Sequence, residues 1–303
     1  MYPTLYKYVE RIQVLMNEFM TDEEYENCFV DFWGIRSEIA HLLLEYGLKL
    51  GARVLDVPSG HGFFAHEISK VIRNGHVCAV GLSNDAETFK QFSNSLEGPK
   101  NYQDLITYCV ADATALPFPS GMFDFVVNFL GLEDINMTSG QSGVTKSLSE
   151  CVRVLKPDGI ILITVCLEGD EPDQLLAKAV TEYIGSNALF YPEGFYVEEL
   201  EKLDTEIIGT KWFYTHRKMT AAQAREELQF ACDETPKIFT KYKVHTVSFD
   251  DLWQKYGERI ERFGMAYYSH LRVLIGRNNP QKQLGNPSLN RIEEKSPKSR
   301  KTG

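Results

Sequence analysis

Apolar and polar positions alternate along this chain in two different periods. Residues 5–20 and 35–47 follow the helical period. In the second stretch Ile35, Ile39, Leu42, Leu43 and Tyr46 fall on one face, and Gly47 follows as a stop. Short β-rich runs come next, at 53–57, 77–82, 105–110, 123–129 and 160–166. Helical stretches separate the first of them, such as 63–73, closed by Asn74-Gly75. Strand and helix alternating at this spacing predict parallel βαβ units and an α/β, doubly wound sheet. Beyond Cys166 helical patterns at 172–184 and 196–203 precede a strand at 206–214. Two further helices carry their own starts, Thr220-x-x-Gln223 and Ser248-x-x-Asp251, both of capping-box form. On the second, Trp253, Tyr256, Ile260 and Phe263 share a face, and a last strand, 267–275, closes the fold.

Charge divides the chain unevenly. Its 303 residues carry a net −10, yet residues 277–303 hold seven basic side chains against two acidic ones. That segment is +5 and the body before it −15. The segment is rich in turn formers and poor in apolar residues, so it is expected to be a disordered basic tail. An acidic body argues against nucleic acid as substrate, because gripping a phosphate backbone calls for clustered Lys and Arg. No apolar run approaches the ~20 residues of a membrane span. The N-terminal MYPTLYKYVERIQ carries Glu and Arg where a signal peptide needs an apolar stretch, so a soluble, cytoplasmic protein is expected. The six cysteines are scattered, without C-x-x-C spacing or a nearby His, and predict neither metal nor redox chemistry.

The chemistry-bearing motif follows the first strand. Val54-Leu55-Asp56-Val57 runs into Pro58-Ser59-Gly60-His61-Gly62, and a helix begins just after. Glycines let a ligand approach the backbone, and a helix N-terminus offers free N–H groups. Gly60-His61-Gly62-Phe63-Phe64-Ala65 satisfies the G-x-G-x-x-A form of a dinucleotide site. Asp56 at the strand tip argues the other way, since a carboxylate there suits an ammonium group and opposes a pyrophosphate.

With Ala111-Asp112-Ala113 and Leu116-Pro117-Phe118, Phe123-Asp124-Phe125-Val126-Val127, and Arg153-Val154-Leu155-Lys156-Pro157-Asp158-Gly159 in the same order, the sequence resembles the class I S-adenosylmethionine (SAM)-dependent methyltransferases. The likeness is to the ubiquinone/menaquinone-biosynthesis-like branch and covers about residues 33–167. It implies a Rossmann-like, seven-stranded sheet, mostly parallel with an antiparallel last strand, and a helical insertion acting as a lid. Residues 1–50 would be N-terminal helices on the substrate side, and 51–276 the methyltransferase domain, with insertions at about 168–195 and 216–264.

The resemblance also implies roles. Asp56, Pro58, Ser59, Gly60 and Gly62 would hold the methionine end of SAM. Asp112 would accept from the adenine amine beside the Ala113 N–H, and Asn128 would line the pocket near the methyl group. A turn-capping aspartate is the competing reading of Asp112, and a strand-end turn residue that of Asn128. The family usually carries an acid at the second strand's tip to clamp the ribose, where this chain has Gly81. Ser83 or Asp85 would take that place after a small shift, or the clamp is absent. No catalytic base is assigned, although His61 and His216 stand near the expected site.

The acceptor would be a small apolar or aromatic molecule, or a protein side chain. It would be recognised by 25–33 and by an aromatic-rich region with Phe190, Tyr191, Phe195, Trp212, Phe213, Tyr214 and Trp253. Two alternatives stand beside the enzyme: a non-catalytic module of the same fold acting through that region, and, further off, an NAD-type enzyme.

Overall fold

The computed structural model describes residues 22–72, 74–95, 105–167, 172–185, 191–214, 218–266 and 270–279. The expected helix 5–20, the side chains of 25–33, Phe190, His216 and the basic stretch from Pro280 onward lie outside the described residues.

Helix α1 (Asp22–Glu45) buries Ile39, Leu42 and Leu43. It ends in a Schellman motif: Leu48 N–H donates to Leu43 O, Gly47 N–H donates to Leu44 O, and Gly47 takes φ 91°. Alternation then proceeds through β1 (Arg53–Asp56), α2 (Phe63–Val71), β2 (His76–Gly81), α3 (Ser83–Ser95), β3 (Ile106–Val110), β4 (Phe123–Phe129), α4 (Leu132–Val154) and β5 (Leu155–Cys166). Helix α4 is kinked at Gly140, whose φ of 66° and ψ of −173° are not helical. Helices α5 (Pro172–Ile184) and α6 (Glu193–Lys202) precede β6 (Thr205–Tyr214).

After β6 come β7 (Lys218–Met219), α7 (Ala221–Asp233), α8 (Thr235–Ile238), a 3₁₀ turn (Thr240–Tyr242), α9 (Phe249–Phe263), β8 (Met265–Ala266) and β9 (His270–Asn278). The start of α7 is a full capping box, Thr220 and Gln223 each taking the other's backbone N–H. At α9 only half of it forms: Asp251 N–H donates to Ser248 Oγ, and the Asp251 carboxylate takes the Ser248 hydroxyl instead of the backbone.

Seven strands form one sheet in the order β3-β2-β1-β4-β5-β9-β6. Pairs from β3 through β5 are parallel. The last strand in sequence, β9, runs antiparallel to both neighbours, β5 and β6. Central strands are largely apolar because both faces are covered. Val54, Phe125, Val127 and Leu162 face α1 and α2, while Leu55, Val126, Ile161 and Ile163 pack with α4 and α6. Each fully buried Leu or Ile contributes about 1.5–3 kcal/mol.

A third core lies apart from the sheet. Leu176, Val180 and Ile184 of α5 pack with Met219, Leu228, Leu252, Ile260 and Met265. Residues 193–195, expected in the first insertion, belong instead to α6, whose Tyr196 and Leu200 pack on the sheet. Phe263, expected on the apolar face of α9, is 46% exposed. Arg277 and Asn278, expected in the tail, end β9, and Asn278 Nδ2 donates to Lys156 O. Their ladder bonds to β5 and β6 supply the partners a disordered segment lacks. No helix among the described residues is long and apolar enough to cross a membrane.

Candidate functional site

The sheet order reverses at β1. Strand β2 lies on one side of it and β4 on the other, so the segments leaving their carboxyl ends part and leave a crevice, the usual ligand position in open α/β sheets. A cavity of about 350 Å³ occupies it. It is lined by the loop after β1, the tip of β2, the segment after β3, the β4–α4 junction and Arg36 of α1.

Positive φ falls on Gly60 (50°) and Gly62 (82°), and Pro58 takes the place of a glycine without needing it. The loop is held by Ser59 N–H donating to Val80 O (2.7 Å) and Gly62 N–H donating to Ser59 O (2.9 Å). Pro58, Ser59, Gly60 and His61 face the cavity. Gly62 does not: it is the N-cap of α2, with the Phe89 ring where a Cβ would project.

Asp56 lies beneath the loop, fully buried, and is not among the lining residues. Its Oδ2 accepts from Ser59 Oγ at 2.5 Å, and Oδ1 has no hydrogen-bond partner among the described residues. Burial pushes its carboxyl up to about 7, with Ser59, the Ala65 N–H and Arg36 opposing. Asp56 therefore braces the loop from beneath through Ser59, outside the cavity lining.

At the β2 tip stands Gly81. A Cβ on Gly81 would stand 2.0 Å from Tyr108 Oη, so an acid there would require Tyr108 to move. Ser83 is exposed at the start of α3 and does not line the cavity. Asp85 does line it. Its Oδ2 accepts from Leu82 N–H at 3.2 Å, and its Oδ1 lies 3.6 Å from His61 Nε2. Burial lowers the His61 pKa; Asp85 opposes that and Arg36 adds to it.

After β3, Asp112, Ala113 and Thr114 line the cavity. Asp112 Oδ1 accepts from both Thr114 N–H and Thr114 Oγ1, each at 2.8 Å, so the turn-capping arrangement is present. A carboxylate has further lone pairs, and Oδ2 keeps the capacity to accept from a ligand. The segment beyond is clamped by Arg153, which donates to Phe118 O (2.8 Å) and Leu116 O (3.1 Å) while pairing with Glu150 through two nitrogens at 2.7 Å. Glu150 in turn accepts from Leu116 N–H at 2.7 Å. The 116–118 segment and the Arg153 turn, separate in sequence, are thus one mechanical unit.

Asn128 is buried and donates to Val57 O at 2.9 Å, tying β4 to β1; it stays out of the cavity. Its neighbours Phe129, Leu130 and Gly131 line it instead, Leu130 with a φ of 56°. Arg36 stacks its guanidinium on Phe129 (4.8 Å) and Phe63 (5.4 Å). Exposed Asp134 completes the charged lining, which holds three carboxylates and one guanidinium among the described residues.

None of Tyr191, Phe195, Trp212, Phe213, Tyr214 and Trp253 lines this cavity. Tyr191 and Phe195 stack at 4.3 Å against the sheet core, Phe213 is buried, and Trp253 packs in the third core. Among the described residues, the aromatic side chains that reach the cavity from that half of the chain are Phe239 and Tyr242. They were missed because nothing in local period marks a short loop that folds back, and Arg36 because it is one polar residue on an ordinary helix.

The lining suits SAM on two counts. A cationic sulfonium and ammonium complement a net negative lining. The glycine loop, open at Gly60 with nothing within 4 Å of a would-be Cβ, lets a ligand reach the backbone. A dinucleotide's pyrophosphate would meet three carboxylates.

Residues 55–163 match a family model described as a methyltransferase domain. Over 138 residues the chain is 30% identical to the ubiquinone/menaquinone biosynthesis C-methyltransferase UbiE of Pseudomonas putida, covering 45% of this chain and 50% of that one. The chain therefore spans about half the length of the curated relatives it matches. Among solved structures, it is similar to a putative sarcosine dimethylglycine methyltransferase from Galdieria sulphuraria, with a TM-score of 0.53 and 17% identity. That match covers 81% of this chain and 85% of the other. It is equally similar in shape to the [4+2]-cyclase SpnF, with a TM-score of 0.53, 18% identity and 80% of each chain covered. At such identities the likeness is one of fold.

Proposed function

We propose that this chain is a class I, SAM-dependent methyltransferase that binds SAM in the β1/β4 crevice and transfers its methyl group to a small apolar or aromatic acceptor; the match of residues 55–163 to a methyltransferase-domain model supports it. The observation that carries the proposal is the charge and shape of one cavity: a glycine-loop backbone, three carboxylates and aromatic walls at the sheet's switch point. When bound, SAM supplies a methyl group on sulfonium, already an effective leaving group. The chain's own work is then to hold and orient.

Ser59, Gly60 and His61 would face the amino-acid end, with Arg36 in the same lining to meet its carboxylate. Asp85 would take the ribose hydroxyls in place of the missing acid at 81. Asp112 and Ala113 would take the adenine edge. Phe63, Phe129 and Leu130 are among the apolar lining residues and would suit an apolar acceptor. The name of the Pseudomonas putida relative, a C-methyltransferase of quinone biosynthesis, supports an aromatic-ring acceptor over a protein side chain.

Incubation with methyl-labelled SAM and a cell extract tests the reading. Label is expected in the organic-extractable small-molecule fraction. Label in precipitated protein would move the acceptor to a side chain. SAM binding with label in neither would favour the non-catalytic module.

A further inference from the structure

Segment 235–243 joins α7 to α9 and is tightly organised. Thr240 Oγ1 donates to Lys237 O (2.6 Å) and Pro236 O (3.1 Å), Tyr242 N–H donates to Phe239 O (2.9 Å), and Lys243 closes the turn at φ 56°. Its flanks are moored in the third core's neighbourhood. Thr246 Oγ1 donates to Cys232 O at 2.6 Å, and Val247 N–H donates to Ile184 O at 3.0 Å. From this strap Phe239 and Tyr242 reach the cavity wall, in the same lining as the glycine loop. Tyr242 lies close enough to Asp112 to feel its carboxylate.

From this placement we infer that Tyr242 and Phe239 form an aromatic clamp over the adenine end of the cavity, making the strap a recognition element for the nucleoside and the contact through which a bound ligand steadies the third core. The inference rests on the proposal that SAM occupies the cavity with its adenine at Asp112. Two points support it. Aromatic faces gain from stacking on a base whatever its hydrogen bonding. And among the described lining residues, these two are the ones contributed by the strap between α7 and α9, two helices that supply Leu228 and Leu252 to the third core. The strap also carries its own reporter: Lys237, Lys241 and Lys243 are exposed tryptic sites within a few residues of the two rings.

The experiment uses the full chain with two probes, S-adenosylhomocysteine and 5′-methylthioadenosine, which share adenosine but differ in the amino-acid part. Tyr242→Ala is expected to weaken both by about tenfold or more and by the same factor, the size of one lost base–aromatic stack. Tyr242→Phe is expected to stay within about threefold of wild type, since the ring is kept. Either probe should slow tryptic cleavage at Lys241 and Lys243 in wild type, because cleavage needs local opening, and not in Tyr242→Ala. Unchanged affinity and unchanged protection in Tyr242→Ala would overturn the clamp while leaving the SAM site standing. Failure of wild type to bind either probe would overturn the SAM site itself.

Discussion

Tyr108 donates its hydroxyl to the carbonyl of Gly60 at 2.8 Å, through space that any side chain at position 81 would claim. The bond ties edge strand β3 to the loop that faces the cavity. Tyr108 and a side chain at 81 would compete for the same space.

Gly81→Ala is therefore expected to destabilise by about 1–3 kcal/mol, the usual cost of overpacking. In a Tyr108→Phe background the same change is expected to cost clearly less, because the atom 2.0 Å from the new Cβ is gone. A urea-denaturation double-mutant cycle measures this, and strict additivity would contradict it.

Asp112→Asn separates the two duties of that residue. An amide oxygen still accepts from Thr114, so stability is expected to stay within ~0.5 kcal/mol of wild type. The charge and one acceptor site are lost, so affinity for S-adenosylhomocysteine is expected to fall by about 1–3 kcal/mol by calorimetric titration. Equal affinity would mean that Asp112 only caps its turn.

Arg153→Met removes the clamp on Leu116 and Phe118. Two carbonyls and the Glu150 carboxylate lose their donor, and a stability loss of about 2–3 kcal/mol is expected from denaturant melts. Ligand affinity should fall as well, because the segment after Asp112 loosens. A variant as stable as wild type would show the network to be ornamental.

Stability should depend on pH through the buried acids. Burial holds Asp56 and Glu133 near 7, above their ordinary 3.8 and 4.5. Between those limits the folded protein keeps protons that the unfolded chain has released. Their stabilising contribution is full below about pH 4 and lost as pH rises through 7. Asp56→Asn removes one such site, so its melting temperature relative to wild type should climb from pH 5 to pH 8. A flat difference would show that Asp56 is held ionised.

The elements of the sheet were legible because they rest on local pattern. The run 123–129 is bounded as β4 is, and 172–184 as α5 is, since apolar period and flanking breakers decide both. Asp112 and the glycine loop were legible as cavity residues because they sit at strand ends, where the topology puts ligands. Asp56 and Asn128 share those strand ends yet turn inward, one under Ser59 and one onto Val57. Sequence position cannot tell which side of a loop a polar side chain takes. The strap rings and Arg36 escaped because the cavity draws them from elements far apart in the chain, and no spacing records that meeting.

Calorimetric titration of the full chain with SAM, and with NADH in parallel, tests whether the β1/β4 crevice binds SAM. A single SAM site is expected, with a dissociation constant in about the 1 μM–1 mM range usual for enzyme ligands. A rise in melting temperature should accompany it, reflecting about 2.7 kcal/mol at a hundredfold excess over that constant. NADH should give no heat. The absence of both heat and thermal shift at millimolar SAM would contradict the account.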